Sequence, residues 1–147
     1  METRALVMAV MVAIVLISGV FSLVLGASLP IEVNVEITVD EFMNTKDVIE
    51  EVVVPDGGVL TVSLGFDPAS GINWTQAADI SNINVLQQIG NKVIIFEEQD
   101  IVGLSGNYIW TFRTLQKGVS KIYMEYIQPG ENGKNPEWTF ELNVVVK

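Results

Sequence analysis

The chain has 147 residues, with 18 acidic against 8 basic side chains, a net charge of −10, and neither cysteine nor histidine. Those absences exclude a thiol nucleophile, a thiolate metal site and a histidine general base, so serine–histidine and cysteine–histidine catalysis cannot be built within it. The acidity disfavours nucleic acid as a partner, because phosphates need a basic footprint.

From Ala5 to Ala27 no residue is charged and almost every position is apolar; Arg4 precedes this run and Ser28-Leu29-Pro30 follows it. About 20 apolar residues suffice for a helix to span a bilayer. Residues 1–28 therefore read as a membrane anchor or as a signal peptide cleaved near Gly26–Ala27, and the length of the run favours the anchor. Both readings place residues 31–147 outside the cytoplasm, on the cell surface or secreted. That part carries the whole net charge, with eight acids against Lys46 between residues 32 and 56. Such a bias is either a solvated face that maintains solubility or a docking surface for a basic partner.

After Pro30 the pattern changes to period two. Ile31, Val33, Val35, Ile37 and Val39 alternate with polar residues, which predicts a strand with one buried face or an extended stalk over 29–46. The polar stretch Asp40–Asp47 reads as a connection. Strands are then expected over 48–54, 59–64, 72–75, 83–89, 93–96 (after a Gly90-Asn91 turn), 108–115, 119–127 and 138–146. Tyr108, Trp110 and Phe112 share one face, as do Trp138, Phe140 and Leu142. No helical period is sustained after residue 30, and Ala77–Asp79 offers one turn at most. Many short strands with regular turn signals predict an all-β, antiparallel β-sandwich for residues 47–147.

Three connections carry unusual residues. In Gly65–Trp74, Pro68 fixes φ and Gly71 permits positive φ, giving a stiff loop with small residues, Ala69 and Ser70, at its tip. Asp67 can cap that loop by accepting from a backbone N–H at Ser70 or Gly71. Gly103-Leu104-Ser105-Gly106 precedes the aromatic strand. Gln128-Pro129-Gly130 opens a long loop before Trp138. Read alone, each serves equally as an ordinary strand connection, with Trp74 as core filler. Glu97, Glu98 and Asp100 lack calcium-loop spacing and read as a solvated loop; no metal or cofactor is expected. Asn73-Trp74-Thr75 is an N-glycosylation sequon beside the first loop.

Taken together, Asp67-Pro68-Ala69-Ser70-Gly71 followed by Trp74, Gly103-Leu104-Ser105-Gly106, and Tyr126-Ile127-Gln128-Pro129-Gly130 resemble the chagasin family of cysteine-protease inhibitors. Loops of that family read Asn-Pro-Thr-Thr-Gly, Gly-x-Gly-Gly and Arg-Pro-Trp. The resemblance covers about residues 46–147. It implies an immunoglobulin-like sandwich with three inhibitory loops at one end. It further implies a non-enzymatic inhibitor that occludes the cleft of papain-like cysteine proteases; a monomer is expected. The contact residues carried over are Asp67, Pro68, Ala69, Ser70, Gly71, Trp74, Gly103, Leu104, Ser105, Gly106, Gln128, Pro129 and Gly130. Gln128 and Gly130 stand where the family has arginine and tryptophan, and losing a tryptophan hot spot costs about 2 kcal/mol or more. Weak inhibition or a shifted target is expected. The rival reading is a surface adhesion or structural module on the same sandwich.

Overall fold

The computed structural model describes residues 16–18, 29–97, 104–130 and 135–147. Two sheets face each other. The first holds β1 (Leu16–Ser18), β2 (Glu32–Ile37), β4 (Val59–Phe66), β8 (Leu104–Thr114) and β7 (Leu86–Glu97), in that order. The second holds β3 (Asp47–Val54), β10 (Trp138–Val146), β9 (Gly118–Ile127) and β5 (Asn73–Trp74), with β6 (Asp79–Ile80) also on β9. Most pairs are antiparallel; β2–β4 and β3–β10 are parallel.

Period-two alternation explains the packing. Leu60, Val62 and Leu64 of β4 and Trp110 and Phe112 of β8 point inward from the first sheet. Ile122, Met124, Phe140, Leu142 and Val144 meet them from the second. Intervening polar side chains face water, as expected where each sheet buries one face. The buried Ser120 hydroxyl is satisfied: it donates to the Asn82 carbonyl (3.1 Å) and accepts from the Asn82 N–H (3.0 Å).

Several expectations need correction. The N-terminal helix falls mostly outside the described residues. Its three described residues, β1, are extended and pair antiparallel with β2. The backbone reason is that β2 would otherwise be a sheet edge with unpaired N–H and C=O groups. Among the described residues no helix is long and apolar enough to cross a membrane. Of the two readings of the lead-in, the strand with one buried face holds and the stalk does not: residues 32–37 pair in register with β4 from Glu32↔Val59 to Ile37↔Leu64.

The connection expected over 40–47 contains a helix, α1 (Val39–Thr45). Its start is a capping box: Thr38 Oγ1 accepts from the Glu41 N–H (3.3 Å), and Glu41 accepts from the Thr38 N–H (2.9 Å). Phe42 supplies its buried contact. The turn expected at Gly90-Asn91 is absent. β7 runs straight through, and a bulge between Gln88 and Gly90 absorbs the extra residue while pairing with β8 continues.

Candidate functional site

Strand register brings the three proposed loops to one pole. Phe66, the last residue of β4, pairs with Gly106 of β8, which pairs in turn with Ile95 of β7. Asn73 of β5 pairs with Ile127, and Trp138 pairs with Tyr126. The strand ends that flank these motifs, Phe66 and Asn73, Glu97 and Leu104, Ile127 and Trp138, therefore lie at the same end of the sandwich. Asn73 and Pro129 line one shallow groove, so the first and third loops are neighbours.

The first loop is a single 3-10 turn, Pro68–Ser70. Asp67 caps it, Oδ1 accepting from the Ala69 N–H at 2.9 Å rather than from Ser70 or Gly71. Pro68 sits at the first helical position, where no donor is needed. Gly71 ends the turn with φ 74°, a conformation that costs a residue with a Cβ about 1–2 kcal/mol.

Below the turn lies Tyr126, 1% exposed. Ser70 Oγ donates to the Asp67 carbonyl (2.7 Å) and so has no second proton to give. Tyr126 Oη must then donate to Ser70 Oγ (3.1 Å), while itself accepting from the Asp67 N–H (3.3 Å). Ser70 Oγ also accepts from the Ile72 N–H at 3.1 Å. The Ser70 hydroxyl is thus wholly committed inward, which leaves the Ala69 methyl as the free tip.

An aromatic layer supports Tyr126. Its ring stacks on Trp138 (centroids 4.5 Å) and lies 5.1 Å from Trp74; Phe42 of α1 completes the set at 4.9 Å from Trp74 and 5.4 Å from Trp138. Trp74 is 2% exposed, and its indole N–H donates to the Gly65 carbonyl (3.0 Å). It offers no surface to a partner, and the carried-over contact role is corrected to one of support. Trp138 is likewise buried, as its parity requires.

The second motif also needs correction. Leu104, Ser105 and Gly106 are the first residues of β8, not a loop; Gly103 lies outside the described residues, as do Glu98 and Asp100. Strand pairing explains this: β7 and β8 remain paired out to Glu97↔Leu104, which takes Leu104, Ser105 and Gly106 into the ladder. Gly106 is buried, and a Cβ there would meet Phe66 Cε1 at 2.5 Å. Its glycine serves packing, not contact. Ser105 is exposed. Val93, Ile95 and Phe96 are exposed on the β7 arm that leads to this connection.

In the third loop Gln128, Pro129 and Gly130 are exposed. Asn73 is exposed, and its Oδ1 accepts from the Tyr108 hydroxyl at 3.1 Å. Burial, with Tyr126 nearby, pushes the Tyr108 phenol above its ordinary pKa, so it stays a donor. Among the described residues no cluster of acidic side chains has metal-site geometry.

A family model described as chagasin family peptidase inhibitor I42 matches residues 53–144. The chain belongs to the chagasin family. A solved member-like structure, the cysteine protease inhibitor EhICP2 from Entamoeba histolytica, superposes with a TM-score of 0.61 at 16% identity, covering 78% of this chain and 96% of that one. This likeness shows the shared fold. Amebosin is similar at 24% identity and TM-score 0.48, over 76% of this chain and 96% of its own. PbICP-C, solved in complex with falcipain-2, is similar at 14% and 0.49, over 76% and 98%. No curated protein matches the chain.

Proposed function

We propose that this chagasin-family inhibitor acts on papain-like cysteine proteases by occlusion. The Asp67–Gly71 turn enters the catalytic cleft, and the second and third motifs, at Gly103–Ser105 and Gln128–Gly130, grip its walls. The observation that carries this reading is the turn itself, fixed by its own caps and by Tyr126 at the pole where the other two connections emerge. A wedge already held in one conformation loses little entropy on binding. Its small tip lets the backbone at Ala69 approach the protease closely. The Asp67 carboxylate brings its own donor, the Ala69 N–H, so its desolvation is partly offset.

The mechanism needs no covalent step and no cofactor. The third loop offers Gln128 and Gly130 in place of large anchors, so affinity falls by about tenfold or more per hot spot lost. The test is titration of the full chain, purified in mild detergent, against papain and cathepsin-type enzymes. Competitive inhibition at micromolar inhibitor is expected, and none at about 100 μM overturns the reading.

Residues 5–27 would export the chain to the outer face of a membrane, where it acts as a monomer; serving there as a spanning anchor requires Leu16–Ser18 to leave their pairing with β2. Mass spectrometry of the mature N-terminus distinguishes an anchor from a cleaved leader. A glycan on Asn73 would stand against the first loop and lower inhibition, which enzymatic deglycosylation would restore.

A further inference from the structure

The helix α1 lies at the same pole as the loops. Ile37, the last residue of β2, pairs with Leu64, just before the first loop; Asp47, the first of β3, pairs with Thr139, just after the third. The Val39 backbone N lies so close to Gly65 that a Cβ there would be 2.7 Å away. α1 connects a strand of one sheet to a strand of the other. Its seven residues span about 10 Å at about 1.5 Å each, which matches the usual spacing between packed sheets. The helix therefore lies across the end of the sandwich as a roof.

One side of this roof faces the core. Phe42 is fully buried against Trp74 and Trp138, the same aromatic layer that supports Tyr126 under the first loop. The other side faces outward. Asp40, Met43 and Asn44, at helical spacing, are exposed, Met43 by 66%.

We infer that this outer face of α1 is a fourth contact with the target protease, with Met43 as its anchor. The inference rests on the function proposed above. Its occupant is the part of the protease surface bordering the cleft beside the first loop, an apolar ledge flanked by a basic group facing Asp40. Three observations support it. The face is continuous with the loop pole. It is held rigid at both ends, by the capping box and by the Lys46 N–H donating to the Phe42 carbonyl at 2.7 Å; a helix this short is not stable alone, so the sandwich fixes its position. The third loop also lacks large side chains, and an exposed methionine supplies adaptable apolar area. α1 lies outside the stretch matched by the family model, residues 53–144.

The experiment measures the inhibition constant of the full chain against papain for the wild type, Met43→Glu, Met43→Leu, and Val119→Glu. Val119 is an exposed apolar control near the opposite end of the sandwich, beside the Gly118↔Val146 pair. Met43→Glu should weaken inhibition by about tenfold. Met43→Leu and Val119→Glu should stay within about twofold of wild type. Peroxide oxidation of Met43, read by mass spectrometry, should slow in the complex. Equal inhibition by wild type and Met43→Glu, or an unchanged oxidation rate, overturns the inference. If Ala69→Trp abolishes inhibition while Met43→Glu is silent, the fourth contact falls and the occlusion reading stands. A wild type that inhibits nothing removes both.

Discussion

Replacing Tyr126 by phenylalanine removes one oxygen and keeps the ring in its stack on Trp138. Two hydrogen bonds go with it, the one accepted from the Asp67 N–H at 3.3 Å and the one shared with Ser70 Oγ at 3.1 Å. A neutral hydrogen bond contributes about 0.5–1.5 kcal/mol net. Here the lower half of that range applies to each. Asp67 is exposed enough for water to replace its lost acceptor, and Ser70 Oγ keeps its bonds to the Asp67 carbonyl and the Ile72 N–H. The sum is about 1 kcal/mol. The same free energy no longer holds the turn in its docking conformation, so binding must supply it. The expected result is a loss of about 1 kcal/mol in urea denaturation and an inhibition constant raised about fivefold. Progress curves with papain and a fluorogenic peptide substrate measure the second quantity. A variant destabilised by about 1 kcal/mol whose inhibition constant stays within twofold of wild type would refute the claim that Tyr126 positions the wedge.

Asp67→Ala removes the cap on the 3-10 turn and should cost about 1 kcal/mol in the same denaturation assay, whereas Asp67→Asn keeps an acceptor and should lose less than half of that. Phe42→Ala empties a fully buried site between two tryptophans and should cost about 3–5 kcal/mol, seen as a lower guanidinium midpoint. Burial, and then the neighbouring Glu41, raise the pKa of Glu50 above its ordinary 4.5. Its ionised form is thus disfavoured in the fold: the penalty is absent below the ordinary value, where folded and unfolded chains are both protonated, and grows as pH rises through the raised one. Glu50→Gln should therefore raise the thermal midpoint at about pH 7 and leave it unchanged at about pH 3.5.

Much of the sandwich was legible because its strands alternate cleanly. Trp138-Thr139-Phe140-Glu141-Leu142 can bury only one set of side chains. Elements defined by hydrogen bonds rather than by hydrophobic pattern were harder to read. α1 has one fully buried residue, Phe42, in a polar stretch; its signal is the Thr38-Val39-Asp40-Glu41 box, which has no hydrophobic period. Gly90-Asn91 has the composition of a turn, but β8 offers an unbroken row of partners, and β7 accommodates the extra residue as a bulge. The first loop was legible through Pro68 and Gly71, residues whose backbone geometry is nearly dictated. Assigning Trp74 and Gly106 to the contact surface carried a motif over whole, although one of its members is a pillar and another a gap for the Phe66 ring.

Of the residues in the first turn, Asp67, Pro68, Ser70 and Gly71 are each spoken for by a bond or by backbone geometry, and Ala69 alone has an uncommitted side chain. The turn is in effect a socket with one interchangeable fitting. Variation at position 69 would tune which clefts admit the chain while leaving the melting behaviour of the scaffold alone. A panel of substitutions there should therefore separate selectivity from stability, two properties that most binding loops force to change together.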